Sequence, residues 1–196
     1  MSYGSGPKKI AQQLKCSLPE AEKIYKGYWE LYQGTYEFNQ KAIEEARTKG
    51  YVMSRFSGMR VKMASINAKD EYIRGKEERR AANFKIQSGN FLTLRGLHKF
   101  QLEIEKNSMV DDVKICNTVH DSIKIQMRLS PDIIKWTNDT LIPILCEDYM
   151  ENQPLKLEAE LDIGFNEKQM VTLKNGADLA EVQEYIDKAR EEVYSV

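Results

Sequence analysis

Apolar positions along this chain recur with two periods, one helical and one strand-like, and the switches between them mark out its elements. Ser17-Leu18-Pro19-Glu20 is a capping-box pattern, and Ala21, Ile24, Tyr25, Tyr28 and Leu31 follow it at helical spacing. That helix should end at Gln33-Gly34. A second should begin near Thr35 and carry Phe38, Ala42, Ile43 and Ala46 to Gly50, where glycine supplies a left-handed stop. The two are expected to form an antiparallel pair with the aromatic stripe in its core. Tyr51 to Arg60 is short, β-prone and broken at Ser57-Gly58, while residues 61–74 lack a clear period and read as a loop or an irregular strand pair.

A long helix is predicted from about Gly75 to Lys106, and its i, i+4 spacing places Arg79, Asn83 and Gln87 on one stripe. Gly89 and Gly96 each cost such a helix about 1 kcal/mol relative to alanine, and it is expected to run through both. His98 on this helix reads as structural. From Val113 to Met127, two runs rich in β-branched residues flank a polar His120-Asp121-Ser122 tip, which reads as a hairpin. Ser130-Pro131-Asp132 opens a helix through Ile133, Ile134, Trp136, Leu141 and Leu145, with Pro143 inside it. Leu155 to Gly164 alternates apolar and charged residues, as a half-buried strand does, and is expected to pair with the hairpin. After a turn at Asn175-Gly176, Asp178 is an N-cap with Glu181 three residues on. Leu179, Val182, Ile186, Ala189 and Val193 then repeat at helical spacing. Their stripe must be buried, on this chain or on a partner. The fold class is α+β, a small antiparallel sheet packed against several helices.

With 196 residues, 41% of them apolar, the chain can bury a real core. No apolar run approaches the ~20 residues a bilayer span needs, and no membrane partner is expected. Cys16, Cys116 and Cys146 are odd in number and widely spaced. With only His98 and His120 beside them, they read as reduced cytoplasmic thiols, neither a disulfide framework nor a zinc site. The net charge of −1 hides an uneven spread: residues 47–106 hold fourteen Lys/Arg against six Asp/Glu, and the remainder fifteen against twenty-four. One basic segment in an acidic protein is either a phosphate-contacting patch or a solvated helix face. A carboxylate on a rigid hairpin tip suits Mg²⁺, a hard cation that takes one or two protein oxygens; the bland reading of His120-Asp121 is a turn cap.

The hairpin Val119-His120-Asp121 resembles the palm hairpin of the family A DNA polymerases, and further matches fall in that family's order along the chain. Tyr3-Gly4 followed by Ile10-Ala11-Gln12-Gln13-Leu14 resembles the end of the fingers helix and the segment after it. Tyr28-Trp29-Glu30-Leu31-Tyr32-Gln33-Gly34 resembles its Tyr-Phe-x-x-Tyr-Pro-Gly, with Gln33 in place of proline. Gly50-Tyr51-Val52, Phe56 and Arg60 fall where its Gly-Tyr-Val and Gly-Arg-Arg elements lie, and Arg79, Asn83 and Gln87 match its Arg-Ala-x-x-Asn-x-x-x-Gln helix. Ile163-Gly164-Phe165-Asn166 is a looser version of its closing Val-Gly-x-x-x-Asn-Trp. The resemblance covers roughly residues 3–170.

It implies a partial right-hand fold: residues 1–50 the end of the fingers and a helical pair, 51–170 a palm with a DNA-tracking helix and catalytic hairpin, 171–196 a helical extension. The implied activity is addition of deoxynucleotides to a primer 3′ end, with primer-template DNA and dNTP as partners. Asp121 is the implied metal ligand, one carboxylate of a two-Mg²⁺ site, and His120 positions the primer terminus. Arg79, Asn83 and Gln87 contact the duplex, and Tyr3 and Gly4 border the nascent base pair and template. Donors on that stripe suit the minor groove, where every base pair offers a purine N3 or pyrimidine O2 acceptor. Their bland reading is a polar face with Arg79 paired to Glu78 or Glu103.

The family's other catalytic carboxylate lies on an upstream Asp-x-Ser-x-x-Glu strand, and its triphosphate-gripping Arg and Lys lie ahead of the Tyr-Gly; this chain has neither. Met1 just before Tyr3 suggests a split gene, with a truncation as the other reading, and the resemblance implies an enzyme of phage type acting in the bacterial cytoplasm. A complementary subunit would supply the rest, and the chain alone would be inactive. Ser122 stands where DNA polymerases usually carry Glu and matches the His-Asp-Ser of single-subunit phage RNA polymerases. Two alternatives stay open, a portion of such an RNA polymerase and a non-catalytic DNA-binding or assembly module of palm-like fold.

Overall fold

A computed structural model describes residues 5–147 and 156–194, and the chain divides into two compact units, Met1–Gly89 and Asn90–Val196. In the first, α1 (Pro7–Leu14), α2 (Leu18–Leu31) and α3 (Gln33–Lys49) lead into a β1 (Tyr51–Met53)–β2 (Arg60–Lys62) hairpin and α4 (Glu71–Gln87). The predicted caps hold. Glu20 accepts hydrogen bonds from the Ser17 amide (2.9 Å) and hydroxyl (2.6 Å), which hold its pKa below the usual glutamate value, and Gly50 ends α3 at φ +73°. Only Tyr32 separates α2 from α3, too short a joint to fold one helix back along the other, so the expected antiparallel pair does not form.

Instead α3 packs on α4 through small side chains. Ala46 and Ala81 are fully buried and share a core with Val52, Met63 and Ile66. Ion pairs run across this contact, from Arg47 to Glu78 (2.5 Å) and from Lys85 to Glu45. Ser54, 1% exposed, shapes the β1–β2 turn. Its hydroxyl accepts from the amides of Phe56 and Ser57, and Gly58 takes φ +70°. The next helix starts at Glu71, ahead of the predicted Gly75, because Asp70 caps it by accepting from Tyr72 N (2.8 Å) and Ile73 N (3.0 Å).

The predicted long helix is two helices. It breaks at Ser88-Gly89, where the Ser88 hydroxyl donates back to the Lys85 carbonyl (2.9 Å), and α5 (Asn90–Lys106) begins the second unit. There α5 packs on α6 (Pro131–Leu145), with Gly96 buried so closely that an added Cβ would lie 2.6 Å from Leu145 Cδ2. Phe100, Ile104, Ile133 and Leu141 form a core beneath the hairpin of β3 (Val113–Val119) and β4 (Ser122–Met127). His98 is exposed on α5, contrary to the structural role expected of it.

The alternating segment also differs from expectation. Leu155 lies outside the described residues; from 156 on the segment's strand is only β5 (Leu161–Ile163), which pairs antiparallel with β6 (Val171–Leu173) and not with the hairpin, giving three two-stranded sheets among the described residues. Gly164 is required at this turn, since a Cβ would sit 2.5 Å from the Gln169 carbonyl. Asn166 closes the loop by accepting from the Lys168 and Gln169 amides, both at 2.9 Å. The terminal stripe does fold back on the chain: α7 (Leu179–Tyr194) buries Val182 and Ile186 against Ile134, Ile142, Leu161, Ile163 and Leu173. Its start is a reciprocal cap, Asp178 N to Glu181 (3.0 Å) and Glu181 N to Asp178 (2.9 Å). Lys174 also pairs with Glu181 at 2.9 Å, raising the lysine pKa and lowering that of the glutamate.

Among the described residues no helix is long and apolar enough to cross a membrane.

Candidate active site

The hairpin is built to hold its tip rigidly. Val113, Ile115, Ile123, Ile125 and Met127 face the core, and the Arg128 amide donates to the Asp112 carbonyl (2.8 Å) while its guanidinium pairs with the Asp112 carboxylate (3.1 Å). Pairing runs Ile115 with Ile125 and then Asn117 with Lys124, so Cys116 is an extra residue, a β-bulge. Without it, period-2 alternation would turn Asn117 and Val119 inward. With it, Thr118 faces inward opposite Ile123 and Val119 stays exposed. The bulge therefore sets which way the last turn of the hairpin presents its side chains. The sequence signal for it was the three-residue step from Ile115 to Thr118 where strand spacing demands two.

Val119 pairs directly with Ser122, leaving His120 and Asp121 as a two-residue turn. His120 has φ +56°, a left-handed conformation that costs a side-chain-bearing residue roughly 1–2 kcal/mol, although histidine enters it more readily than most. The Ser122 hydroxyl donates to the Val119 carbonyl at 2.9 Å and staples the turn. Both His120 and Asp121 are exposed. The Asp121 carboxylate accepts no hydrogen bond within the described residues, so its oxygens are open to an external ligand. No group of three or more His, Cys, Asp or Glu that could hold a metal exists among the described residues. A hard, unengaged carboxylate on a rigid turn fits Mg²⁺ as one ligand of a site completed from elsewhere.

In the other unit, Arg79, Asn83 and Gln87 share one stripe of α4, with Arg79 and Gln87 exposed and Asn83 half-buried. The pairing of Arg79 with Glu78 is not found, since Glu78 is taken by Arg47 and Arg74; Glu103 pairs with Lys106 in its own unit. Arg79 instead lies along the helix over Gly75, its guanidinium 3.5 Å from where a Cβ would project. The basic segment is largely exposed, with Arg55, Arg60, Lys62, Lys69, Lys76 and Arg80 on the same unit and Arg60 over the Tyr51 ring at 5.1 Å. Tyr3 and Gly4 lie outside the described residues.

The family model for DNA polymerase family A matches residues 1–169. The chain belongs to that family. Among curated proteins, it is 35% identical over 86 residues to DNA polymerase I of Treponema pallidum, covering 44% of this chain and 8% of that protein. It is 26% identical over 172 residues to DNA polymerase I of Rhizobium leguminosarum, covering 84% and 16%. Against DNA polymerase theta of Drosophila melanogaster it is 30% identical over 105 residues, covering 53% and 5%. The chain thus spans a small part of the length of these relatives. A solved structure, the POL domain of Pol1 from M. smegmatis in complex with DNA primer-template and dNTP, shares the fold. The TM-score is 0.67 at 20% identity, over 74% of this chain and 25% of that one. The mixed architecture of helices and small antiparallel sheets is therefore that of part of a family A polymerase domain.

Proposed function

We propose that this chain is the C-terminal, palm-bearing part of a template-directed DNA polymerase that adds deoxynucleotides to a primer 3′ end. In this reading a complementary polypeptide carries the second catalytic carboxylate and the fingers Arg and Lys. The observation that supports it is the Asp121 carboxylate, exposed on a strained turn and hydrogen-bonded to none of the described residues. Asp121 would hold Mg²⁺, which when bound lowers the pKa of a primer 3′-hydroxyl and neutralises the triphosphate. His120, fixed beside it by the turn, positions the primer terminus. Arg79, Asn83 and Gln87 track the duplex through acceptors common to all base pairs, which lets the enzyme hold any sequence. The exposed basic residues around them supply phosphate contacts.

Primer extension tests this with the 196-residue chain alone and with the polypeptide of the same genome that carries an Asp-x-Ser-x-x-Glu strand. The chain alone should not extend a primer, and the mixture should extend it with dNTPs. Extension confined to ribonucleotides would instead favour the RNA polymerase reading to which Ser122 points. Salt-sensitive duplex binding without synthesis would favour a non-catalytic module.

A further inference from the structure

Although α1 packs on α2, the helices α2 and α3 carry an apolar surface that stands exposed among the described residues. Of fourteen residues in α2, only Ala21 is buried, and no residue of α1 or α2 belongs to a hydrophobic core cluster of the described residues. Ile24, Tyr28 and Leu31 fall at i, i+4 and i+7, one strip of helix surface, with Leu31 74% exposed. Rings in contact carry the strip across the joint into α3: Tyr28 to Tyr32 at 4.8 Å, Tyr28 to Trp29 at 5.0 Å, Trp29 to Tyr36 at 5.6 Å. Tyr32 and Tyr36 are 48% and 45% exposed. The aromatic stripe expected to be core is therefore mostly surface. Single exposed apolar residues mean little, but a continuous aromatic strip on helices without a core of their own calls for a partner.

Two observations bear on what covers it. Residues 18–41 hold three lysines against four glutamates, so the strip lacks the positive charge that nucleic acid requires. The solved polymerase domain that shares this fold is about four times as long as the part this chain matches, and in the two-polypeptide reading the remainder of such a domain belongs to the complementary polypeptide. We propose that the α2–α3 strip is the docking surface for the complementary polypeptide of the polymerase, with Leu31 and Tyr36 as its anchors. This rests on the two-polypeptide reading above and adds the surface on which assembly occurs.

The test uses the full chain with Trp136→Phe, so that Trp29 reports from within the strip, mixed with the polypeptide carrying the Asp-x-Ser-x-x-Glu strand. Docking should shift Trp29 emission to the blue and slow amide exchange in residues 18–41. Leu31→Glu or Tyr36→Glu should weaken the complex by ~30-fold or more while leaving helicity and melting of the chain unchanged, since both side chains are exposed. Val110→Glu, at an exposed position after α5, should have no effect. If the two polypeptides associate and extend a primer while residues 18–41 exchange as in the isolated chain, the surface assignment is overturned and the polymerase reading stands. If they do not associate at all, the two-polypeptide reading falls and this inference with it. If sedimentation shows the chain alone dimerising with Trp29 shielded, the occupant is a second copy and the proposal is overturned.

Discussion

Replacing Ile186 by alanine probes whether the C-terminal helix, which lies past the family match, is integral to the second unit. Ile186 is 3% exposed and packs with Ile134, Ile163 and Leu173, joining α7 to α6 and the β5–β6 hairpin. Met127 on β4 touches both this core and the one under the β3–β4 hairpin, so α7 supports the strand that leads out of Asp121's turn. Removing the Ile side chain from an enclosed core costs about 2–5 kcal/mol. Here Ile186 also borders an open cavity of about 280 Å³ lined by Met127, Phe165 and Met170, so part of the void fills with water and the lower half of the range, about 2–3 kcal/mol, is expected. For a chain of this size that lowers the melting midpoint by roughly 4–12 °C. Urea unfolding in a Trp29→Phe background, where Trp136 alone reports on the second unit, gives the measurement. Lys188→Ala, exposed on the same helix, should shift stability by less than about 0.5 kcal/mol. An Ile186→Ala variant as stable as this control would mean that α7 does not dock as described.

Arg79→Ala should weaken binding to duplex DNA about equally for all sequences. It should also reduce the slope of log affinity against log salt by about 1 if the guanidinium neutralises a phosphate, or leave that slope nearly unchanged if it reads base acceptors, as fluorescence anisotropy across a salt series would show. Burial raises the Glu45 pKa, but the hydrogen bond and charge of Lys85, with Lys49, outweigh it and the net pKa is lowered. This contribution to stability is present above the ordinary glutamate pKa and is lost as pH falls through the depressed one, so melting from pH 7 to pH 3 should fall less steeply in Glu45→Gln than in the parent. His120→Gly should match or exceed the parent in thermal stability, because glycine accepts φ +56° without strain, yet reduce primer extension in the assembled enzyme.

Features decided by a few neighbouring residues were legible in the sequence: the Ser17/Glu20 and Asp178/Glu181 caps, the stop at Gly50, the Ser57-Gly58 break and the His120-Asp121 turn. Asp70 offered an equally local signal, and with it the start of α4 could have been placed at Glu71. What escaped depended on distant partners. Whether β5 joins the hairpin or pairs with β6 is a choice between non-local pairings of similar pattern, and the tight loop that Gly164 and Asn166 form settled it for the nearer strand. The break at Ser88-Gly89 needed more than one glycine's helix cost; there a serine hydroxyl also returns to the backbone. The aromatic stripe has a buried helix's spacing, but Leu31, Tyr32 and Tyr36 stand exposed, and periodicity cannot distinguish a core from a docking face. Of the candidate site residues, Asp121, His120, Arg79 and Gln87 stand exposed and Asn83 is half-buried, positions set by the short local motifs in which they lie.

Metal substitution at Asp121 tests most directly whether its carboxylate is a metal ligand for nucleotide addition. Asp121 is exposed and without a hydrogen-bond partner among the described residues, so Asp121→Asn and Asp121→Cys should leave stability within about 0.5 kcal/mol of the parent. In the assembled enzyme with Mg²⁺, both should lose about three orders of magnitude or more in primer extension, equivalent to ~4 kcal/mol of transition-state stabilisation. Exchange of Mg²⁺ for the thiolate-accepting Mn²⁺ or Cd²⁺ should restore part of the activity to the cysteine variant and none to the asparagine variant. Parental extension rates in Mg²⁺ with either substitution would contradict the assignment of this hairpin as a metal-holding site.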